Sequence, residues 1–189
     1  DGIPSGAHQE ALKLLDSHPV TLHFSKSRLT KWGHFKASRS GLGTPQISLN
    51  RDLSPPAMLL TFVHEWAHLL VWKSGKKVPP HGTLWKVCFR DAMLPFLNEG
   101  NFPNDLLPKV DRYLRNPSAA ITSAPELYHA LSEKTENTCL VSEIPFGGTF
   151  LFRKKEYIRL EKRRTRYRCT QSSNNRQYLF QEATPVSPC

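Results

Sequence analysis

The chain changes its pattern of apolar and polar positions several times, and each change marks an element. Residues 7–17 carry apolar side chains at 7, 11, 14 and 15, a helical spacing. Val20-Thr21-Leu22-His23-Phe24 then alternates, as does Gln46-Ile47-Ser48-Leu49-Asn50 after a turn at Gly41-Leu42-Gly43, so both read as half-buried strands. His23 is expected at the surface, and His34, in Trp32-Gly33-His34-Phe35, in a loop. Met58 to Trp72 is apolar on nearly every side, the mark of a buried helix. Ser54-Pro55-Pro56 suits its start and Gly75 its end. A further helix runs through Val87, Cys88, Phe89 and Met93 until Pro95 stops it, and another spans 104–114 with Pro108 in its first turn.

From about residue 138 the pattern turns to short β segments split by charged turns: Cys139-Leu140-Val141, Thr149 to Phe152, Tyr157-Ile158, Arg166 to Cys169 and Tyr178 to Phe180. Pro117 to Pro125 reads as a connecting segment. The expected organisation is α+β: a first domain over 1–117, a linker over 118–137 with room for a short helix, and a basic β-rich appendage over 138–189, folded as an antiparallel meander.

At 189 residues, 39% hydrophobic and 22% charged, the chain has the composition of a water-soluble globular protein. Its longest apolar run is interrupted by His64, Glu65 and His68, which argues against a membrane span. No secretory signal pattern is visible, and the four scattered cysteines read as reduced thiols, with a Cys139–Cys169 disulfide as the lesser alternative. Cytoplasmic placement is the expectation.

The interruption carries the chemistry. His64-Glu65-Trp66-Ala67-His68 is an H-E-x-x-H sequence, and on a helix residues four apart share a face. Two neutral imidazoles can then hold one zinc ion, with Glu65 as proton acceptor beside it. Burying these groups in an apolar helix would otherwise cost several kcal/mol. A catalytic zinc needs a third protein ligand. The compact H-E-x-x-H-x-x-G-x-x-H form is excluded by Val71 and Ser74. His81, just before a helix start, is the candidate; Asp91 is a more distant option, and Glu99 is disfavoured by Gly100 and Pro103.

These residues, with His81-Gly82-Thr83-Leu84-Trp85 and Phe89-Arg90-Asp91-Ala92-Met93 after them, resemble the SprT-like metalloprotease domain, the domain of the DNA–protein crosslink protease Spartan, over roughly 8–115. The resemblance implies a zincin-type fold, zinc on His64, His68 and His81, Glu65 as general base, and protein substrates bound or crosslinked to DNA. Many members continue into a four-cysteine zinc ribbon. Here Ser172 stands where the partner of Cys169 would fall, so no second zinc is expected.

Net charge is +10, and residues 151–176 hold ten Lys or Arg against two Glu. Such a patch attracts nucleic acid. Lys162, Arg163, Arg164, Arg166 and Arg168 are the candidate contacts, with 164, 166 and 168 sharing one strand face and Tyr157 or Tyr178 available for stacking. The bland reading is a solvated face that protects an edge. The sequence thus favours a DNA-associated zinc metalloprotease; the alternative is a non-catalytic nucleic-acid-binding or transcription-regulating module with a structural zinc.

Overall fold

The computed structural model describes residues 2–28, 31–38, 43–103, 105–132 and 139–188, so part of the turn expected at Gly41-Leu42-Gly43, and Cys189, lie outside the described residues. The fold is mixed α+β, with five α-helices and two sheets among the described residues. None of the helices is long and apolar enough to cross a membrane. The chain divides into two compact units, Asp1–Ala119 and Ala120–Cys189.

In the first unit a 3-10 turn leads into α1 (His8–Ser17), followed by β1 (Thr21–Ser25), β2 (Gly33–Lys36) and β3 (Gln46–Asn50). The sheet order is β1-β3-β2, with β1 parallel and β2 antiparallel to β3. Strand β2 is a departure from the expected loop. Its glycine and its four-residue length hide it from an alternation test, yet Gly33 is buried while His34 and Lys36 are exposed, a period of two. His23 is exposed on β1, as expected.

Helix α2 (Pro55–Lys73) packs its buried side chains Leu59, Phe62, Val63, Trp66 and Leu69 between this sheet and α3 (Thr83–Met93). Pro55 stands at its first position, where no N–H is needed; Ser54, the residue before, makes no capping bond with its side chain. Beyond its end Gly75 takes a left-handed φ of 67°, and the Ser74 and Gly75 amides donate back to Leu70 and Trp72. Trp85, Phe89 and Met93 of α3 complete the core with Phe96 and Phe102, and α4 (Leu107–Arg115) adds Val110 and Leu114.

Buried Asn50, at the end of β3, ties down the connection between β1 and β2. Its side-chain amide donates to the carbonyls of Arg28 (3.1 Å) and Lys31 (3.2 Å), and its oxygen accepts from Arg28 Nε at 2.9 Å. Its backbone N–H donates to Trp32 O. One side chain therefore satisfies two backbone carbonyls of this connection.

The second unit contains α5 (Pro125–Leu131) and a six-stranded sheet in the order β4-β9-β5-β6-β7-β8, antiparallel throughout. Its strands are β4 (Cys139–Leu140), β5 (Thr149–Phe152), β6 (Lys155–Arg163), β7 (Arg166–Gln171), β8 (Gln177–Gln181) and β9 (Pro185–Pro188). Strands β5 to β8 form the expected meander. Strand β9, between β4 and β5, had no sequence signal, because a proline at each end disguises it. Phe150, Tyr157, Tyr167, Cys169, Phe180 and Val186 make the core of this sheet. Cys88, Cys139 and Cys169 are free thiols, so the alternative Cys139–Cys169 disulfide is not formed.

Replacing Asn50 by Ala takes their Asn50 partner from two carbonyls and from Arg28 Nε, leaving the Arg28 guanidinium with its bonds to Ser48. The expected cost is about 1–3 kcal/mol in chemical denaturation, with faster amide exchange at Arg28, Lys31 and Trp32 and little change in the second unit.

Candidate metal centre

Helix α2 carries its functional side chains on adjoining faces. His64 and His68 face α3, where the chain between the two helices brings in His81. The Nε2 atoms of His68 and His81 lie 2.9 Å apart, and those of His81 and His64 3.3 Å apart. This is the only group of donors among the described residues that converges closely enough to hold a metal ion. Tetrahedral bonds of 2.0–2.1 Å would set nitrogen ligands about 3.3 Å from one another, close to what the three imidazoles show. Asp91 is exposed on α3 and Glu99 lies in an exposed turn; neither joins the group. His34, on β2, is outside it as well.

The protein around the rings is aromatic. Trp85 lies 4.6 to 5.4 Å, centroid to centroid, from all three histidines and donates its indole N–H to the His64 carbonyl at 3.4 Å. Phe89 stands edge-on to His64, and Phe35 of β2 stacks on His68. Burial, reinforced by the neighbouring imidazoles, pushes His64 down to about 3 and His68 down to about 4, and burial lowers His81 too. All three rings are therefore neutral at physiological pH, the form that binds a metal.

His81 reaches the group through an uncommon backbone. In the turn from Pro79 to Gly82 the Gly82 amide donates to the Pro79 carbonyl at 3.0 Å, Pro80 holds the second position, and His81 holds the third with φ 57°. Proline followed by a left-handed residue is the type II pattern, and glycine or asparagine is the usual third residue. A histidine there costs about 1 kcal/mol or more.

Glu65, on the adjoining face of α2, lies against β2, the strand whose Phe35 also stacks on His68. Only 7% exposed, it lies against Gly33, where a Cβ would come within 2.6 Å of both Glu65 Oε1 and Thr61 Cγ2. Here the absence of a side chain is a spatial requirement. Burial pushes the Glu65 carboxyl up to about 7, against the opposing pull of the Phe35 amide, which donates to it, and of the Lys31 and Arg28 charges. Asn50 fixes the loop that carries both cations.

The five cations expected to meet nucleic acid do not form one row. Arg164 lies in the turn after β6 with φ 37°, off the strand. Arg168 is held by Glu161 at 2.8 Å, and Lys162 by Glu182 at 2.6 Å, while Arg159 lies over the Tyr167 ring at 4.0 Å. Arg163, Arg164 and Arg166 are exposed around the β6–β7 turn. Tyr178 is partly exposed on β8, and Tyr157 is buried.

Comparison with known protein families, with characterised proteins and with solved structures finds no match to this chain.

Two outcomes follow for the metal-free protein. A carboxyl raised from 4.5 to about 7 favours folding below pH 4.5, and that advantage is lost as pH rises through 7. Glu65→Gln is therefore expected to be more stable than the parent at pH 8, by on the order of 2–3 kcal/mol, and equal to it below pH 4.5; thermal melts across pH read this directly. Gly33→Ala is expected to cost about 1–3 kcal/mol by overpacking against Glu65 and Thr61, while metal content, measured by atomic emission, stays unchanged because the atoms nearest that Cβ belong to Glu65 and Thr61 and not to the histidines.

Proposed function

We propose that the chain is a zinc-dependent endopeptidase of the zincin type, similar to SprT-like proteases and acting on proteins associated with DNA. The observation that carries this reading is the convergence of the His64, His68 and His81 Nε2 atoms with a buried carboxyl on the next residue of the same helix. Three neutral imidazoles and no thiolate or carboxylate donor suit a catalytic zinc with one position left for water.

His64, His68 and His81 would hold a zinc ion, which would polarise a scissile carbonyl and acidify water. The Glu65 carboxylate would accept a proton and return it to the departing amine. Its proton affinity near neutrality suits both transfers. The aromatic shell of Trp85, Phe89 and Phe35 limits access of bulk water and keeps these charges effective. Strand β2 is the edge of its sheet, and its Phe35 amide turns outward to Glu65. A substrate added antiparallel to β2 would lie along this edge with its backbone beside the carboxylate.

The test measures zinc and cleavage together, using an unfolded protein substrate with and without DNA. The intact chain is expected to hold one zinc and cut. Glu65→Gln is expected to keep the zinc and lose at least a hundredfold in rate. His81→Gly is expected to relax the Pro79–Gly82 turn, raising the apo melting temperature slightly, while zinc affinity and cleavage fall together. A chain that holds zinc and cuts nothing, with or without DNA, would move the reading to a non-catalytic binding module.

A further inference from the structure

Among the described residues, the exposed basic residues of the second unit that make no close ion pair gather at the two ends of β6, Arg163 alone among them reaching a carboxylate, that of Glu161 at 4.0 Å. At one end are Arg153, Lys154 and Lys155, with Arg176 in the β7–β8 loop, which lies there because the Ser172 amide donates to the Glu156 carbonyl at 3.0 Å. Arg163, Arg164 and Arg166 surround the other. All seven are exposed. Between them Lys162 and Arg168 are neutralised within the sheet. Nine residues of β6 separate the two ends by about 26 Å.

Turn chemistry supplies a second, independent observation. Phe152 pairs with Lys155, so Arg153 and Lys154 form a two-residue hairpin loop, and their φ values of 52° and 63° are both left-handed. This is the type I′ arrangement, for which Asn-Gly is the ordinary sequence. Arg163 pairs with Arg166, and Arg164, first of that two-residue loop, has φ 37° where glycine is usual. Both hairpins thus carry cations at positions whose backbone disfavours them.

We propose that the Arg153-Lys154 and Arg164 hairpin tips are two phosphate contacts that hold one nucleic-acid strand along β6. This rests on the DNA association in the function proposed above and is independent of the peptidase activity. A separation of about 26 Å corresponds to about eight steps of 3.4 Å along duplex DNA, so both tips fall within one helical turn of a duplex, where either strand offers phosphates, and within reach of one flexible single strand. Five of these seven exposed cations are arginine, whose planar fork matches phosphate oxygens. Placement on loop tips rather than on one apolar-backed face favours a linear polyanion over a lipid surface.

The test uses the full chain, a fluorescein-labelled 25-nucleotide DNA as single strand and as duplex, and anisotropy between 50 and 200 mM salt. Arg153→Asn with Lys154→Gly installs the preferred turn and removes two charges; Arg164→Gly does the same at the other tip. Melting temperatures at or above the parent's are expected for both variants. Affinity is expected to drop about tenfold or more in each, with the salt slope reduced by about two in the double substitution on duplex. Lys13→Asn with Lys109→Asn, equal in charge, is expected to have little effect.

Parent binding that both hairpin variants keep would overturn this assignment and leave the DNA association standing. Failure of the parent to bind either DNA form at 50 mM salt overturns both. Binding to vesicles of mixed neutral and anionic lipid, weakened by the same substitutions and unmatched by DNA, would assign the tips to a membrane surface and overturn the proposal.

Discussion

The first unit is organised by the placing of two imidazoles and a carboxyl along one apolar helix, with a third imidazole brought to them by the turn that follows. Water solvates His64 poorly and Glu65 hardly at all, so the surrounding chain must either compensate them or hold them neutral. It does so through neighbouring faces of α2. One gives the histidines to the turn before α3 and to the face of Trp85; the next gives Glu65 to β2, whose Phe35 stacks on His68 and donates its amide to Glu65. The sheet, the turn and α3 are each positioned by what one of these groups needs.

Much of this was legible from spacing. The buried helix, its ends at Pro55 and Gly75, the strands around Leu22 and Ile47, and the candidate ligands His64, His68 and His81 follow from periodicity and from the cost of burying polar groups. What escaped depends on tertiary partners. Strand β2 is short and begins with glycine, and only Thr61 and Glu65, 28 and 32 residues further on, explain why position 33 has no side chain. The Asn50 clamp shows no periodicity because its partners are carbonyls. In the second unit, alternation suggested a common face for Arg164, Arg166 and Arg168; a two-residue turn takes the first off the strand and Glu161 claims the last.

Left-handed residues recur where charge or ligation is needed. His81, Arg153, Lys154 and Arg164 occupy turn positions that glycine or asparagine would fill with less strain. The first brings a donor into the histidine group, and the others lift cations clear of the sheet. Local preference and side-chain chemistry conflict at these four places. Elsewhere, as at Gly75 and Asn175, the ordinary residue is present. Conflict of this kind is expected where a site outweighs folding.

The contact between β2 and Glu65 has a thermodynamic corollary. The edge that can receive another strand is also the wall of the Glu65 site, so covering this edge removes more water from the carboxyl and tightens its hold on a proton. Linkage makes the effect mutual: protonation of Glu65 strengthens strand addition by the same factor by which strand addition strengthens protonation. Occupancy of the sheet edge and proton occupancy of α2 are then two readings of one equilibrium, joined through a residue that has no side chain.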